Sequence, residues 1–337
     1  MKALLLAGLM AGIATAALAQ APAATPPPRP TEPPSNMATG VDVNRFIGDA
    51  EQGMPKIFLD VGLKRTILEA GDALKPGANG KVLRYYKEVA LATVQPGETT
   101  ALGKSDSQMV FYVEEGEARL DDGKSFWNVK PGFLMLAPPN VAHRFQVIGD
   151  KPLKMLTVEI PVQAGVTPKT EMIVRDVEKM AMTERNVHWN NFAKYVLVGE
   201  RDGLFAGDRV YIVYMAPMTI AGPHAHTPEQ DEVWIKASPG RSLMQIGSEI
   251  RWWKENQGLL APPNGQTVHA AYNLSDERQK WLYVARLNPT PPDPNRPPPA
   301  PNPNRPQPPA AIAEGLEASN VAPTPLPAPP APKPARR

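Results

Sequence analysis

Short runs of alternating apolar and polar residues make up most of residues 81–286. Pro-Gly, Asp-Gly and similar turn-forming pairs separate them, which is the pattern of β-strands joined by tight turns. The turn residues Asp121, Asp122 and Gly123 predict a hairpin, because glycine tolerates the positive φ that such turns need. The pattern therefore predicts an all-β protein. The clearest strand-forming runs are residues 110–113, 116–120, 209–216, 232–237, 243–246 and 281–287.

Helical periodicity is present in three segments, residues 43–50, 57–70 and 173–183. The first two precede the main strands, and the third lies between the two halves of the β region. We therefore expect short helical additions to the β architecture at these places.

The two halves of the β region contain the same landmarks in the same order. Residues 137–140 and 261–264 both read Ala-Pro-Pro-Asn, and a histidine follows each within five residues, His143 or His269. This similarity predicts a duplicated unit of about 100 residues. Closing each unit into a barrel or jelly roll would leave few strand edges open to aggregation.

The two ends of the chain differ in composition from the rest. Residues 1–19 combine Lys2, an apolar run and the small-residue ending Ala17-Leu18-Ala19, which predicts a signal peptide cleaved after Ala19. Most of the 41 prolines lie directly after this leader and in the last fifty residues or so. Such segments bury too little apolar surface to offset their ordering entropy, so we expect disordered, extended tethers. The leader predicts a periplasmic or secreted protein.

Composition excludes several functional classes. The 36 Lys and Arg residues nearly balance the 34 Asp and Glu residues, so no basic surface for nucleic acid is expected. The chain has no cysteine, which rules out disulfides, thiolate catalysis and Cys-ligated metal sites. Beyond the leader, no segment is expected to span a membrane.

The second half contains a group of residues with metal-binding chemistry. His224 and His226 are spaced i, i+2, so both imidazoles lie on one side of an extended segment. A carboxylate from the next strand and His269 from a later strand would complete a set of three histidines and one acid. Such nitrogen and oxygen donors suit Mn, Fe, Ni, Cu or Zn. The candidate carboxylates are Glu229, Asp231 and Glu232.

These residues resemble the two motifs of the cupin superfamily, G(X)5HXH(X)3–4E(X)6G and G(X)5PXG(X)2H(X)3N. His224 and His226 match the histidine pair of the first motif, although Pro217-Met218 stands where the family usually has Pro-Gly. The acidic position is either Asp231, which keeps the spacing, or Glu232, which directly precedes a strand. We favour Glu232, with Asp231 as the alternative and Glu229 third. The second motif is matched by Gly258, Pro263, Asn264, Gly265, His269 and Asn273.

The resemblance implies two tandem cupin-type barrels (double-stranded β-helix or jelly-roll), that is, a bicupin. It also implies that His224, His226, Glu232 and His269 face the interior of the second barrel, whose metal site is open at one end. The expected domains are a signal peptide (1–19), a Pro-rich linker (20–40), a helical lead-in (41–80), barrel 1 (81–163), a connection (164–187), barrel 2 (188–287) and a disordered Pro-rich tail (288–337).

The first half departs from the cupin pattern. Its second motif is kept at Gly132, Pro138 and His143, but the glutamate position of its first motif is Met109. One histidine does not hold a divalent ion, so we expect barrel 1 to be metal-free and structural, or to bind an organic ligand. The positions of the histidine pair are Leu102 and Lys104 or Gly103 and Ser105, depending on register.

Metal sites with open positions in this family imply several functions. The first hypothesis is a metal-dependent oxidoreductase, such as a dioxygenase acting on a small oxygenated substrate, with Fe or Mn favoured over Ni, Cu or Zn. The second is an isomerase, lyase or hydrolase that uses Glu229 or Asp231 as general base. The third is a non-catalytic module that binds a sugar or another small molecule. A small-molecule partner is expected in each case, and a homo-oligomer is possible.

Overall fold

A computed structural model describes residues 41–182, 184–185, 191–288 and 316–327 of the chain. The expected signal peptide, the linker and most of the Pro-rich tail lie outside the described residues, and these expectations stay predictions.

The described chain is almost entirely β-structure, which confirms the predicted fold class. Three short 3-10 helices interrupt the strands, at Val43–Phe46, Val177–Lys179 and Gly199–Asp202. The strands are β1 (Ile47–Asp49), β2 (Pro55–Phe58), β3 (Gly62–Ala70), β4 (Lys81–Leu83), β5 (Glu88–Val94), β6 (Gln108–Glu115), β7 (Glu117–Asp121), β8 (Ser125–Val129), β9 (Phe133–Ala137), β10 (Arg144–Ile148), β11 (Leu153–Ile160), β12 (Ile173–Asp176), β13 (Glu184–Arg185), β14 (Asn191–Val198), β15 (Asp208–Met215), β16 (Ile220–His224), β17 (Gln230–Lys236), β18 (Ser242–Ile246), β19 (Glu249–Trp252), β20 (Gln257–Leu260), β21 (His269–Asn273), β22 (Gln279–Leu287) and β23 (Thr324–Pro325).

Each barrel consists of one large and one small sheet. In barrel 1 the large sheet has the order β12-β9-β6-β11-β5-β3-β2, with β4 beside β3, and the small sheet has the order β10-β7-β8-β23. In barrel 2 the orders are β1-β20-β17-β22-β15-β14-β13 and β16-β21-β18-β19. The strands β9, β6, β11 and β5 of the first large sheet correspond in order to β20, β17, β22 and β15 of the second. The duplication seen in the sequence is thus a duplication of strand topology.

Strands from outside the two repeats complete the large sheets. Strand β1 pairs with β20 of barrel 2, with Ile47 opposite Leu259. Strand β12, which follows barrel 1 in sequence, pairs with β9, with Ile173 opposite Leu136. The first described strand therefore belongs to barrel 2, although it precedes the strands of barrel 1 in sequence.

The helix expected at residues 57–70 is wrong, because this segment forms parts of β2 and β3. The segments 43–50 and 173–183 each contain one short 3-10 helix, at Val43–Phe46 and Val177–Lys179, next to the strands β1 and β12. In β3 the pairing register shifts between Thr66 and Leu68, so that the consecutive residues Ile67 and Leu68 are both buried. Such a bulge interrupts strict alternation, and the apolar spacing then imitates that of a helix.

The outer faces of the two large sheets pack against each other. One core cluster contains Val110 and Leu156 of barrel 1 together with Ile212 and Val284 of barrel 2. Strands such as β6 are therefore buried on both faces over most of their length, as expected for a sheet covered on both sides. Each barrel has a second apolar cluster in its interior.

Residues 316–327, called the C-terminal strap below, are ordered against barrel 1. Leu316 is buried, β23 pairs with the edge strand β8, and the Trp127 indole donates a hydrogen bond to the Val321 carbonyl at 2.9 Å. The expectation of a disordered tail over 288–337 is wrong for this segment. The apolar residues between the proline runs bury enough surface to order it.

Within the described residues, no helix is long and apolar enough to cross a bilayer.

Candidate metal centre

Four side chains from three strands and one loop meet inside barrel 2. Strand β16 ends at His224, and β21 begins at His269, which lies directly opposite His224 in the strand pairing. His226 follows in the loop after β16, and Glu232 is the third residue of β17. The ligand atoms of these four residues all lie within 4.8 Å of one another.

The geometry around the Glu232 carboxylate is that of a metal-ligand set. His226 Nε2 lies 2.7 Å from Oε2, and His269 Nε2 lies 3.4 Å from Oε1. His224 Nε2 lies 3.1 Å from His226 Nε2. Three imidazole nitrogens and one carboxylate in this arrangement fit a divalent transition metal and do not fit the oxygen-only preference of Ca²⁺ or Mg²⁺.

The hydrogen bond on the far side of the His224 ring supports this interpretation. Its Nδ1 lies 3.0 Å from the Gly222 carbonyl oxygen, which accepts only if Nδ1 carries the proton. In the neutral ring, Nε2 then presents its lone pair to the cluster. Metal-binding histidines are commonly oriented by such a backbone contact.

Burial keeps His224 and His269 in their metal-binding form. It lowers the pKa of His269 to about 4 and also lowers the pKa of His224, so both rings are neutral at pH 7. Burial acts to raise the pKa of Glu232, but the contacts with His226 and His269 outweigh it and hold that pKa well below its usual range. At neutral pH the site therefore presents the Glu232 carboxylate and the unprotonated rings of His224 and His269.

Three further side chains hold the Glu232 carboxylate in place. The Trp234 indole donates to Oε1 at 2.5 Å, while the Gln230 amide and the Tyr283 hydroxyl donate to Oε2, each at 3.0 Å. The motif reasoning did not assign this role to Gln230 or Tyr283. Alternation along β17 could have indicated Gln230 and Trp234, which share a face with Glu232. Tyr283 lies on another strand, and no local signal identifies it.

The structure does not bring the two proposed general bases to the cluster. Asp231 is fully buried on the opposite face of β17, where it accepts a hydrogen bond from Arg84 Nε at 2.8 Å. Glu229 lies in the turn before β17, where a hydrogen bond with Thr227 lowers its pKa. The general-base assignments have no geometric support, and of the three candidate carboxylates Glu232 is the one that meets the histidines.

The corresponding place in barrel 1 is filled by apolar side chains. Gly103 bridges to His143 as His224 pairs with His269, so Gly103 and Ser105 occupy the histidine-pair positions. The His143 ring packs against Phe111 and Phe145 at centroid distances of 5.2 and 6.3 Å, and burial lowers its pKa. Leu59 closes the space beside Gly103, where a Cβ would come within 2.4 Å of its side chain.

Sequence comparison identifies one known domain in this chain, within barrel 1. Residues 90–159 match the sequence model of the cupin domain. An uncharacterized protein of Methanocaldococcus jannaschii is 28% identical over 101 residues, covering 29% of this chain and 81% of the relative.

Solved structures with the same fold share little sequence with this chain. Protein Ylba from E. coli superposes with a TM-score of 0.55 at 12% identity, covering 74% of this chain and 94% of its own. AerE from Microcystis aeruginosa superposes with a TM-score of 0.54 at 13% identity, covering 72% of this chain and 100% of its own. Oxalate decarboxylase from Bacillus subtilis superposes with a TM-score of 0.52 at 12% identity, covering 74% of this chain and 79% of its own. Residues 90–159 thus match a cupin domain, and the described chain shares the fold of these two-barrel structures, a bicupin-like architecture.

Proposed function

We propose that this bicupin is an enzyme with one divalent transition metal ion, bound in barrel 2 by His224, His226, Glu232 and His269. The observation that carries the proposal is the convergence of these four ligand atoms within 4.8 Å. The favoured activity is that of a metal-dependent oxidoreductase, such as a dioxygenase, on a small oxygenated substrate. Fe and Mn are the favoured metals.

The bound ion would act as a Lewis acid at coordination positions that the four protein ligands leave open. The contribution of the chain is geometric. Gln230, Trp234 and Tyr283 fix both oxygens of Glu232, and the Gly222 carbonyl fixes the ring of His224. His224 and His226 remain partly exposed, while Glu232 and His269 are buried. A substrate would therefore approach from the side of the histidine pair.

A lyase is the second candidate function. The structural relative from Bacillus subtilis is an oxalate decarboxylase with Mn(II) centres, which favours Mn at this site and a reaction that breaks a C–C bond. At 12% identity this likeness concerns the fold, so the lyase activity stays second.

The metal content of the mature protein, residues 20–337, tests the proposal. It should be purified without chelator and without a histidine tag, and about one Fe or Mn per chain is expected. His226→Ala should remove the metal and leave the circular dichroism spectrum unchanged. Glu229→Gln, an acid in the same loop, is the matched control and should keep it. Wild-type protein that is metal-free and does not take up added Mn²⁺ or Fe²⁺ would refute the site.

We also propose that the protein is exported, with cleavage after Ala19 and the Pro-rich segments as tethers. N-terminal sequencing of the protein from separated cell fractions tests this. A periplasmic or secreted chain that begins at Gln20 is expected, whereas a cytoplasmic chain that still begins at Met1 would contradict it.

A further inference from the structure

A row of apolar side chains crosses the outer surface of the small sheet of barrel 2. In the strand pairing Ile220 lies opposite Tyr272, Tyr272 opposite Leu243, and Leu243 opposite Trp252. Directly opposite residues of an antiparallel sheet face the same side. Met244, which follows Leu243, belongs to the interior cluster, so the row itself faces outward. We call this outward side of β16, β21, β18 and β19 the tryptophan face.

The tryptophan face exposes large apolar side chains and no charge. Trp252 and Ile250 are each 56% exposed, whereas the next residue, Trp253, is 2% exposed. The outward positions of the four described strands carry no charged side chain, and their polar groups are the Gln245 amide and the Tyr272 hydroxyl, which bind each other. Exposed apolar patches mark interaction surfaces. An uncharged surface fits an uncharged partner, because a charged one would lose hydration without gaining an ion pair.

The dimensions of this face fit a narrow partner. Strands of a sheet lie about 4.8 Å apart, so the row from Ile220 to Trp252 is about 14 Å long. The strands have four or five residues each, so the face covers on the order of 250 Å². A stable interface between two protein copies needs about 800 Å² per partner. An extended segment of chain fits this face, whereas a second folded domain needs more surface than it offers.

The N-terminal Pro-rich linker, residues 20–40, begins beside the tryptophan face. The described chain starts at Val41, and three residues later the Asn44 side-chain oxygen accepts a hydrogen bond from Arg251 at 2.6 Å. Arg251 directly precedes Trp252 on β19, the edge strand of the small sheet. In the extended polyproline II (PPII) conformation, at about 3.1 Å per residue, the linker reaches about 65 Å. It is therefore long enough to cross the whole face.

The composition of the linker matches the face. Residues 20–28 carry no charged side chain, and residues 26–28 and 30 are prolines. Consecutive prolines favour the PPII helix, which is ordered at low entropic cost and needs no strand-type hydrogen bonds. Such segments bind aromatic surfaces through their rings. The row of about 14 Å takes four to five residues of a PPII helix.

We propose that the N-terminal linker docks on the tryptophan face of its own chain. Residues 26–30 bind in the PPII conformation, with their proline rings packed against Trp252 and Tyr272. The other Pro-rich segments begin elsewhere, one after β22 in the large sheet and one after the strap on barrel 1. The linker thus carries a docked segment next to barrel 2, and its remaining residues serve as the tether.

Oxidation of Trp252 by hydroxyl radicals, measured by mass spectrometry on the mature chain 20–337, tests the docking. Proline rings packed on the indole should protect it. A triple variant with Pro→Ser at positions 26–28 should therefore be oxidised at Trp252 at least about threefold faster than wild type. The matched control carries Pro→Ser at positions 297–299, which are also three consecutive prolines, and should react like wild type.

A label on the linker tests the same contact from the other side. The chain has no cysteine, so Thr25→Cys provides a single site for a nitroxide spin label. Docking should give this label the broad spectrum of a slowly moving group, and Trp252→Ala should narrow it. Ile148→Ala removes a side chain of barrel 1 that is 45% exposed, and this control should leave the spectrum unchanged.

Each outcome supports or overturns the proposal. Faster Trp252 oxidation in the 26–28 variant at every protein concentration, together with the narrowed spectrum in Trp252→Ala, supports it. Equal oxidation in wild type and the 26–28 variant would overturn the docking. Loss of protection in the 297–299 variant alone would assign the face to another Pro-rich segment. Protection that disappears on dilution would mean that the linker of a second copy occupies the face, which would overturn docking within one chain.

Discussion

Asp231 and Glu232 are neighbours in sequence but point to opposite faces of β17. Glu232 meets His226 at 2.7 Å in the interior of barrel 2, whereas Asp231 is buried behind the strand and binds Arg84. Successive side chains of a strand face opposite sides, so one of the two acids can serve the metal and the other cannot.

Substitution of the two acids should therefore have different effects. Glu232→Gln is expected to lose most of the bound metal, because it removes the charged ligand and keeps the shape. Asp231→Asn should keep the metal and lower thermal stability, since it breaks a buried ion pair. Metal analysis together with a thermal melt distinguishes these results. Metal loss in Asp231→Asn with Glu232→Gln unaffected would reverse the ligand assignment.

Arg84 links the segment between β4 and β5 to the metal-bearing strand. Its guanidinium binds Asp231 and also donates to the Pro228 carbonyl at 2.8 Å. Arg84→Met should cost about 3 kcal/mol of unfolding free energy, because it leaves a buried carboxyl without its partner. In urea unfolding, the double variant of Arg84→Met and Asp231→Asn should lose clearly less unfolding free energy than the two single variants lose together. Strict additivity would mean that the pair is not coupled.

Glu114 gives the protein a specific pH dependence. Its Oε1 is buried without a hydrogen-bond partner among the described residues, and burial raises its pKa to about 8. Between its usual pKa near 4.5 and this value, the folded state keeps a proton that the unfolded state has lost. The contribution of Glu114 to the free energy of unfolding is therefore most favourable below about pH 4.5, and it decreases as the pH rises toward 8.

Replacing this acid should remove that dependence. Glu114→Gln is expected to be more stable than wild type at pH 8, by on the order of 3 kcal/mol, and about equally stable at pH 4.5. Urea unfolding at the two pH values measures this. Glu115→Gln is the control, because Lys154 lies 2.6 Å from Glu115 and lowers its pKa, so its loss should not stabilise the protein at pH 8. If the unfolding free energies of Glu114→Gln and wild type depend on pH in the same way, the raised pKa of Glu114 would be contradicted.

The C-terminal strap should stabilise barrel 1. Ending the chain after residue 315 removes β23 and the contacts of Leu316 and Val321, and so exposes the edge of β8 and part of Trp127. We expect a thermal midpoint several degrees lower, on the order of 2–4 °C per 1 kcal/mol lost for a folded body of this size. Ending the chain after residue 327 keeps all described contacts and should leave the midpoint unchanged. Equal midpoints for both truncations would show that the strap contributes nothing.

The strand pattern and the candidate ligands were accessible from the sequence. The predicted runs at residues 110–113 and 281–287 lie inside β6 and β22, because alternation records which side chains face a core. The spacing of His224 and His226 nominated a metal-binding pair before any contact was known. The four nominated ligands are also the four that the structure brings together.

Long-range strand pairing decided the remaining features. Whether Asp231 or Glu232 faces the histidines depends on which side of β17 forms the barrel interior, and spacing alone favoured Asp231. The pairing of β1 with β20, and the docking of the strap on β8, join segments about 200 residues apart, so no local pattern records them. Tyr283 reaches Glu232 from a strand 51 residues away. Local sequence determined the strands and the donor types, and tertiary packing decided which side chains meet.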